Sequence, residues 1–233
     1  MAFEQFKGSL DLASALKRLE RDYPPNPKLE QQPYVKGLRG GAAVLMVAAF
    51  EFFLRKLFEE NISKLNAIPA LIEFSKLPEQ LRVKAVFHTL QMAMDGPKYS
   101  EKTAKIDRIE QILQVCKLII SEQVHPETFS ETGSNPNSET VKVKFKEIGV
   151  PDIFGKIKSA FVIKWGAPVA DSFIKDKLDE IVRTRHVVAH TADTLNITRK
   201  SQNDAFRFLK ILAELLEKEM ENHIKALLVS AKK

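Results

Sequence analysis

The sequence predicts an all-α fold, because its composition, its breaks and its apolar spacing all favour helices. Of the 233 residues, 44% are hydrophobic, which is enough to bury a large core. The 9 glycines and 11 prolines gather at a few points, and good helix formers such as Leu, Ala, Lys and Glu fill the segments between them. No internal repeat and no clear linker divides the chain, so we predict one helical domain over residues 1–233.

Apolar residues three and four positions apart mark the individual helices. They predict helices over residues 5–21, 35–65, 71–94, 104–123, 152–164, 169–190 and 201–229. The first helix ends before the PPNP segment at 24–27, because proline cannot continue a helix. The second is expected to be the central helix, and its predicted core stripe is Leu45, Ala48, Ala49, Phe52, Phe53 and Leu57. Pro78 is expected to break the third helix, and Asp95-Gly96-Pro97 separates it from the fourth.

The segment over residues 125–140, HPETFSETGSNPNSET, has no helical period. Because it is rich in Ser, Thr, Asn and Pro, we predict a long polar loop there. The next segment, over residues 141–148, begins VKVKFK and alternates like a strand. It is too isolated to have an obvious pairing partner, so its structure is left open.

The cellular setting is inferred from one cysteine and from the apolar segments. Cys116 lies in an apolar pattern and can form no intramolecular disulfide, so we interpret it as core filling in a reducing cytoplasm. The N-terminus lacks the layout of a signal peptide. The longest apolar stretch, residues 41–50, is about half of a membrane span and stops at Glu51. We therefore expect a cytoplasmic protein with no membrane partner.

The charge pattern favours a polyanionic partner. The net charge is +6, and residues 141–165 carry six lysines against two acidic residues. Such a run is either an RNA-binding track or a solvated helix face. The predicted RNA-binding residues are Lys142, Lys144, Lys146, Lys156, Lys158 and Arg183.

The predicted helix at 169–190 carries the main functional signal. Its apolar stripe runs through Ile174, Leu178 and Ile181 to Val188, and Arg185 occupies the position where the stripe should continue after Ile181. A buried arginine without a partner costs several kcal/mol or more. Arg185 is therefore a functional cation, a snorkelling side chain or part of a structural ion pair.

His190 follows Arg185 by five residues, an offset of about 140° on an ideal helix, so the two need not share a face. His186 and His190 do share a face at i and i+4, which is a spacing used for metals. However, HVVAH lacks the adjacent glutamate of the HExxH pattern, and no Cys or His cluster completes a coordination shell. We expect no metal site and no cofactor.

The R-x-x-x-x-H motif from Arg185 to His190, within LDEIVRTRHVVAH and before a long terminal helix, resembles the HEPN superfamily and, within it, the RiboL-PSP type. The segment VLMVAAFEFFLRKLFEE around Glu51 is similar to the second helix of that family. SNPNSETVKVKFKEIGV resembles the polar stretch before its later helices. In one respect the sequence departs from the family, which often has a polar residue such as Asn where this chain has His186.

The resemblance implies an HEPN-like helical bundle that dimerises so that two motifs face each other, with metal-independent endoribonuclease activity that leaves a cyclic phosphate. RNA supplies the nucleophile as its own 2′-hydroxyl, so the protein needs a proton-transfer group and a cation. Histidine changes protonation near neutral pH, which suits His190, and the guanidinium of Arg185 suits the phosphate. His186 is a further catalytic candidate.

Glu51 is a candidate for orienting Arg185 or His190, and the alternative is that it only pairs with Arg55 one turn on. Three functions stay open: a ribonuclease acting as a toxin or antiphage effector, an inactive HEPN module that binds RNA, nucleotide or a protein, and a plain helical interaction domain. The expected partners are RNA, a second copy of the chain, and an antitoxin or regulatory protein.

Overall fold

The structure is a computed structural model, and it describes residues 1–66, 77–95, 102–121, 124, 129, 135–191 and 197–230. All regular structure in these ranges is helical, which confirms the all-α fold class. The elements in chain order are α1 (Ala2–Glu20), a 3-10 turn (Leu29–Gln31), α2 (Gln32–Asn66), α3 (Glu79–Val83), a π-helical turn (Lys84–His88), α4 (Thr89–Asp95), α5 (Lys102–Ile120), α6 (Ser138–Glu147), α7 (Ile153–Trp165), α8 (Phe173–Thr191) and α9 (Arg199–Ser230).

Most helix ends lie within about four residues of the sequence predictions. The break expected at Pro78 is confirmed, because α3 begins at Glu79, and residues 67–76, which include the first part of the predicted third helix, lie outside the described part. Most of the predicted loop also lies outside it, but α6 begins at Ser138, so the last three loop residues are helical.

The segment that alternates like a strand is helix α6. The side-chain oxygen Oδ1 of Asn137 accepts a hydrogen bond from the backbone N–H of Thr140 at 2.9 Å, which caps the helix start. Val141, Phe145 and Ile148 are buried at four- and three-residue spacing. The cap and the buried face explain why this short segment is helical despite its alternating lysines.

The chain forms two compact units. Unit 1 comprises Met1–Leu54, Thr132–Val141 and Phe154–Lys218, and unit 2 comprises Arg55–Glu131, Lys142–Ile153 and Glu219–Lys233. That residues 1–233 act as one domain stays a prediction.

Aromatic packing holds the helices of unit 1 together. Phe6 of α1 packs against Phe53 of α2 with ring centroids 5.4 Å apart. A second cluster joins α7, α8 and α9, where Phe161 lies 5.6 Å from Phe208 and Trp165 lies 5.7 Å from Phe173. Large buried rings dominate core energetics, so these clusters fix α8 against its neighbours.

The predicted core stripe of α2 was only partly right. Ala49, Phe53 and Leu57 are buried, but Ala48 is exposed and Phe52 is 40% exposed. The buried face continues around the helix from Phe53 and Leu57, through Met46, Val47, Phe50, Leu54 and Phe58. Apolar residues surround the axis of α2, so spacing alone could not select the buried side.

α2 is also long and apolar. The preceding 3-10 turn and α2 as far as Leu65 form a continuous segment, Leu29–Leu65, and an 18-residue window within it has a mean hydropathy of 1.6. By length and composition alone this segment could cross a membrane, whereas the apolar stretch at 41–50 had led us to expect no transmembrane helix. Half of the window is buried inside the protein, and the core helix of a soluble protein has the same composition.

A buried carboxylate joins three segments of unit 1. Glu20, at the end of α1, is 2% exposed and binds two arginines. Its Oε1 accepts from Nη2 of Arg39 in α2 at 2.6 Å, and its Oε2 accepts from Nε of Arg199 in α9 at 2.7 Å. Arg199 also donates to the carbonyl oxygens of Glu20 and Tyr23, and Arg39 donates to that of Ile197. Because every charge has partners, this ionic group satisfies the condition for burying charge.

Unit 2 contains a buried lysine that the sequence analysis assigned to RNA. Lys144 is 4% exposed, and its Nζ donates to the carbonyl oxygen of Phe129 at 2.7 Å. The same ammonium lies 5.2 Å from the ring centroid of Phe58. Cys116, expected in the core, is only partly buried on α5.

Candidate active site

The candidate site is on α8, in unit 1. Ile174, Leu178, Ile181 and Val182 form its buried face, at the spacing of one side of a helix. The C-terminal part of α8 is more open, because Arg183, His186, Val187, Ala189, His190 and Thr191 are exposed. The helix thus presents its motif residues on an uncovered surface, while the preceding turns anchor it.

Arg185 continues the buried face of α8, as its place in the apolar stripe predicted. Its Nη2 lies 3.7 Å from Oε2 of Glu51 on α2, and the two side chains are 23% and 21% exposed. Of the partners considered for Glu51, which were Arg185, His190 and Arg55, the contact is with Arg185, 134 positions along the chain. A partly buried carboxylate at this distance restricts where the guanidinium can lie.

The two motif histidines lie side by side. The ring centroids of His186 and His190 are 4.3 Å apart, with an angle of 51° between the planes. Both residues are exposed, whereas Arg185 is partly buried towards α2. The offset of about 140° expected between Arg185 and His190 fits this difference in exposure.

The predicted RNA-binding cations divide into three groups. Lys142, Lys146, Lys156 and Arg183 are exposed. Lys144 is buried, so its assignment to RNA was wrong: the charge count could not show that its ammonium is held by a carbonyl inside the protein. Lys158 is hydrogen-bonded to Asp171, and that bond lowers the pKa of the Asp171 carboxyl. The carboxylate of Asp171 therefore already offsets part of the positive charge of Lys158.

A groove beside His186 was not predicted from the sequence. Its lining residues are Asn135, Asn137, Asp179, Val182, Arg183 and His186. The residues before α6 and those on α8 are more than 40 positions apart, so no local spacing could have linked them. The only signal was the Asn-Pro-Asn-Ser segment, which is typical of a helix cap.

Within the described residues, no group of three or more His, Cys, Asp or Glu side chains could hold a metal ion. His186 and His190 are the two motif histidines, and His88 and His223 lie elsewhere in the chain. His88 is exposed, and Nε2 of His223 lies 2.7 Å from the carbonyl oxygen of Ile148.

Comparison with known proteins gives one family. The model of the RiboL-PSP-HEPN family matches residues 8–222. Neither a curated protein nor a solved structure matches the chain. The match covers far more than half of the sequence and includes α2, α8 and most of α9. The chain therefore belongs to the RiboL-PSP-HEPN family.

Proposed function

We propose that the protein is an endoribonuclease that cleaves RNA without a metal ion, using Arg185 and His190. The observation that carries the proposal is the partly buried ion pair between Arg185 and Glu51, next to two exposed histidines whose rings are 4.3 Å apart. A cation held in place beside proton-transfer groups is what transesterification of RNA requires. Membership of the HEPN family supports an RNase-type activity.

The reaction needs no nucleophile from the protein. The 2′-hydroxyl of RNA attacks the adjacent phosphorus, and the bond to the 5′-oxygen of the next nucleotide breaks, leaving a 2′,3′-cyclic phosphate and a 5′-hydroxyl. One imidazole accepts the proton of the 2′-hydroxyl, and another donates a proton to the leaving 5′-oxygen. The guanidinium of Arg185 binds the phosphate oxygens as negative charge builds on them.

A homodimer is part of this proposal. One motif supplies one His190, and a twofold axis through the site supplies a second. Phe52, which follows Glu51, is 40% exposed, and Val187, two residues after Arg185, is 39% exposed. We propose that the interface covers both side chains.

The test is cleavage of total RNA by purified protein in the presence of EDTA. We expect the wild type to cleave and both Arg185→Ala and His190→Ala to be inactive while still folded. The matched controls are Arg18→Ala and His88→Ala, which remove an exposed arginine and an exposed histidine from other helices. Strict dependence on a divalent metal would contradict the mechanism. RNA binding without cleavage by the wild type would favour an inactive binding module.

The dimer is tested by mixing the two inactive variants. A mixed dimer of Arg185→Ala and His190→Ala chains contains one intact arginine and one intact histidine on opposite subunits. Partial recovery of activity is expected if Arg185 of one chain and His190 of the other suffice at one phosphate, whereas a mixture that stays inactive would mean that both His190 imidazoles, or an arginine and a histidine of the same chain, are required. A protein that sediments as a monomer while cleaving at full rate would refute the shared site.

The exposed cations are proposed to bind the RNA backbone. We expect Lys142→Ala, Lys146→Ala and Lys156→Ala together to weaken binding to all RNA sequences alike, because phosphate contacts carry no sequence information. The dependence of the binding constant on salt should also flatten, by about one unit of slope for each lost contact. An unchanged slope would mean that these lysines form only a solvated face.

The cellular role is proposed to be that of a toxin or antiphage effector that acts on cellular RNA under the control of an antitoxin or regulatory protein. Expression of the wild type should then slow growth of the host cell, and His190→Ala should not. Equal growth with both would count against this role.

A further inference from the structure

The groove beside His186 suggests how the RNA is selected. It lies between the turn before α6 and the side of α8, and its volume is about 360 Å³. That volume is at the low end of the roughly 300–1,000 Å³ of small-molecule sites. The ring of His186, which lines the groove, also packs on the ring of His190, so the groove adjoins the candidate active site.

The groove is built from a turn that is fixed to α8. Both side-chain oxygens of Asp179 accept hydrogen bonds from Ser138, one from the backbone N–H and one from the hydroxyl, each at 2.8 Å. The hydroxyl of Thr140 donates to the carbonyl oxygen of Asn135 at 2.8 Å. These bonds set the position of the turn without using the side-chain amide of Asn135. Fixed groups bind a ligand with a smaller entropic cost.

The polar groups left in the groove suit a nucleobase. The side-chain amide of Asn135 and the Nδ2 of Asn137 form no hydrogen bond with any other residue that the structure describes, and Asn135 is exposed. An amide offers a donor and an acceptor, the combination with which proteins read base edges. Val182 supplies an apolar surface, His186 a ring on which a base can stack, and Arg183 an exposed cation for a neighbouring phosphate.

We propose that this groove binds one unpaired nucleobase of the RNA next to the cleaved phosphate, with Asn135 reading its edge. The proposal rests on the proposed ribonuclease function. A base paired in a duplex presents neither its Watson–Crick edge nor its face, so the substrate class is single-stranded RNA. In this arrangement His186 forms one wall of the base site and also packs against His190. The family often has a polar residue at this position.

The cleavage test uses a library of unstructured RNA, with the product ends mapped by sequencing. The wild type should prefer particular bases at one position beside the cleaved bond, and Asn135→Ala should reduce that preference about tenfold, the scale expected when amide contacts to a base are lost. Asn203→Ala, which removes an exposed asparagine from α9, is the matched control and should keep the preference. Asn137 is not the residue to change, because its loss would also remove the cap of α6.

A binding test separates this proposal from the proposed function. The fluorescence anisotropy of labelled A, C and U homopolymers, made as 2′-deoxy oligonucleotides so that they cannot be cleaved, is measured with wild type and Asn135→Ala. Unequal wild-type affinities that become more equal in the variant support the base site even if no RNA is cleaved. Equal affinities of the wild type for the three homopolymers would overturn the proposal. So would the absence of any difference between Asn135→Ala and the wild type in both the cleavage and the binding test. Equally strong binding of a free mononucleotide would identify a nucleotide pocket instead of an RNA subsite and would also overturn it.

Discussion

Replacing Glu20 with alanine should be the most destabilising change at a charged residue of unit 1. The substitution removes a carboxylate that is 2% exposed and leaves Arg39 and Arg199, whose side chains are 17% and 31% exposed, without their shared anion. Breaking a buried ion pair costs roughly 3–5 kcal/mol. Both arginines keep carbonyl acceptors and some access to water, so we expect the low end, about 3 kcal/mol.

For a chain of this size, each kcal/mol lowers the melting temperature by roughly 2–4 °C, so the expected decrease is about 6–12 °C. Thermal and urea unfolding followed by circular dichroism would measure it, with Glu30→Ala as the control. Glu30 is an exposed acidic residue of the 3-10 turn, and its loss should stay within about 0.5 kcal/mol. A loss below about 1 kcal/mol in Glu20→Ala would refute the reasoning, because it would mean that the two arginines gain as much from water as from the carboxylate.

Three other substitutions test the site and the fold. Glu51→Gln should slow single-turnover cleavage about tenfold, which equals about 1.4 kcal/mol of activation free energy, because the lost ion pair orients Arg185. The affinity for RNA should not change. An unchanged cleavage rate would mean that Glu51 is not needed. Lys144→Ala should lower the free energy of unfolding by roughly 1.5–3 kcal/mol, since it removes a hydrogen bond from a charged group. Lys146 is exposed, so Lys146→Ala should change the free energy of unfolding by less than about 0.5 kcal/mol. Equal effects of the two substitutions in urea unfolding would contradict this. Gly149→Ala should cost at least about 1 kcal/mol in the same assay, because Gly149 has φ +94° and a Cβ there would lie 3.0 Å from Cγ of Pro78; wild-type stability would show that the turn adapts.

The helices could be predicted because each one repeats a local pattern. α8 and α9 begin and end close to the predicted residues, since apolar spacing and breaking residues are read within a few positions of each other. The contact of Glu51 with Arg185 could be proposed because each was a charge in an apolar stripe. A charge in such a position needs a partner, whatever the distance along the chain.

The failures came from properties that depend on three-dimensional surroundings. The buried side of α2 could not be chosen, because apolar residues lie all around it. Lys144 was assigned to RNA because a local count of charge does not register burial. The groove was missed because Asn135 and Val182 meet only after α6 and α8 have packed. Local spacing therefore singled out Arg185, and the family resemblance the motif, but neither pointed to the surface beside it.

The contact between Arg185 and Glu51 also restricts how this protein could lose its activity during evolution. A single change of Arg185 to an apolar residue would remove one cationic partner of the Glu51 carboxylate, which is only 21% exposed, and the loss of a partner by a partly buried charge is destabilising. The same holds for Arg185 if Glu51 changes first. An inactive descendant would therefore be more stable with both residues replaced than with either one alone. Paired replacement at these two positions would mark a pseudoenzyme lineage, whereas loss of the exposed His190 could occur alone at little cost to the fold.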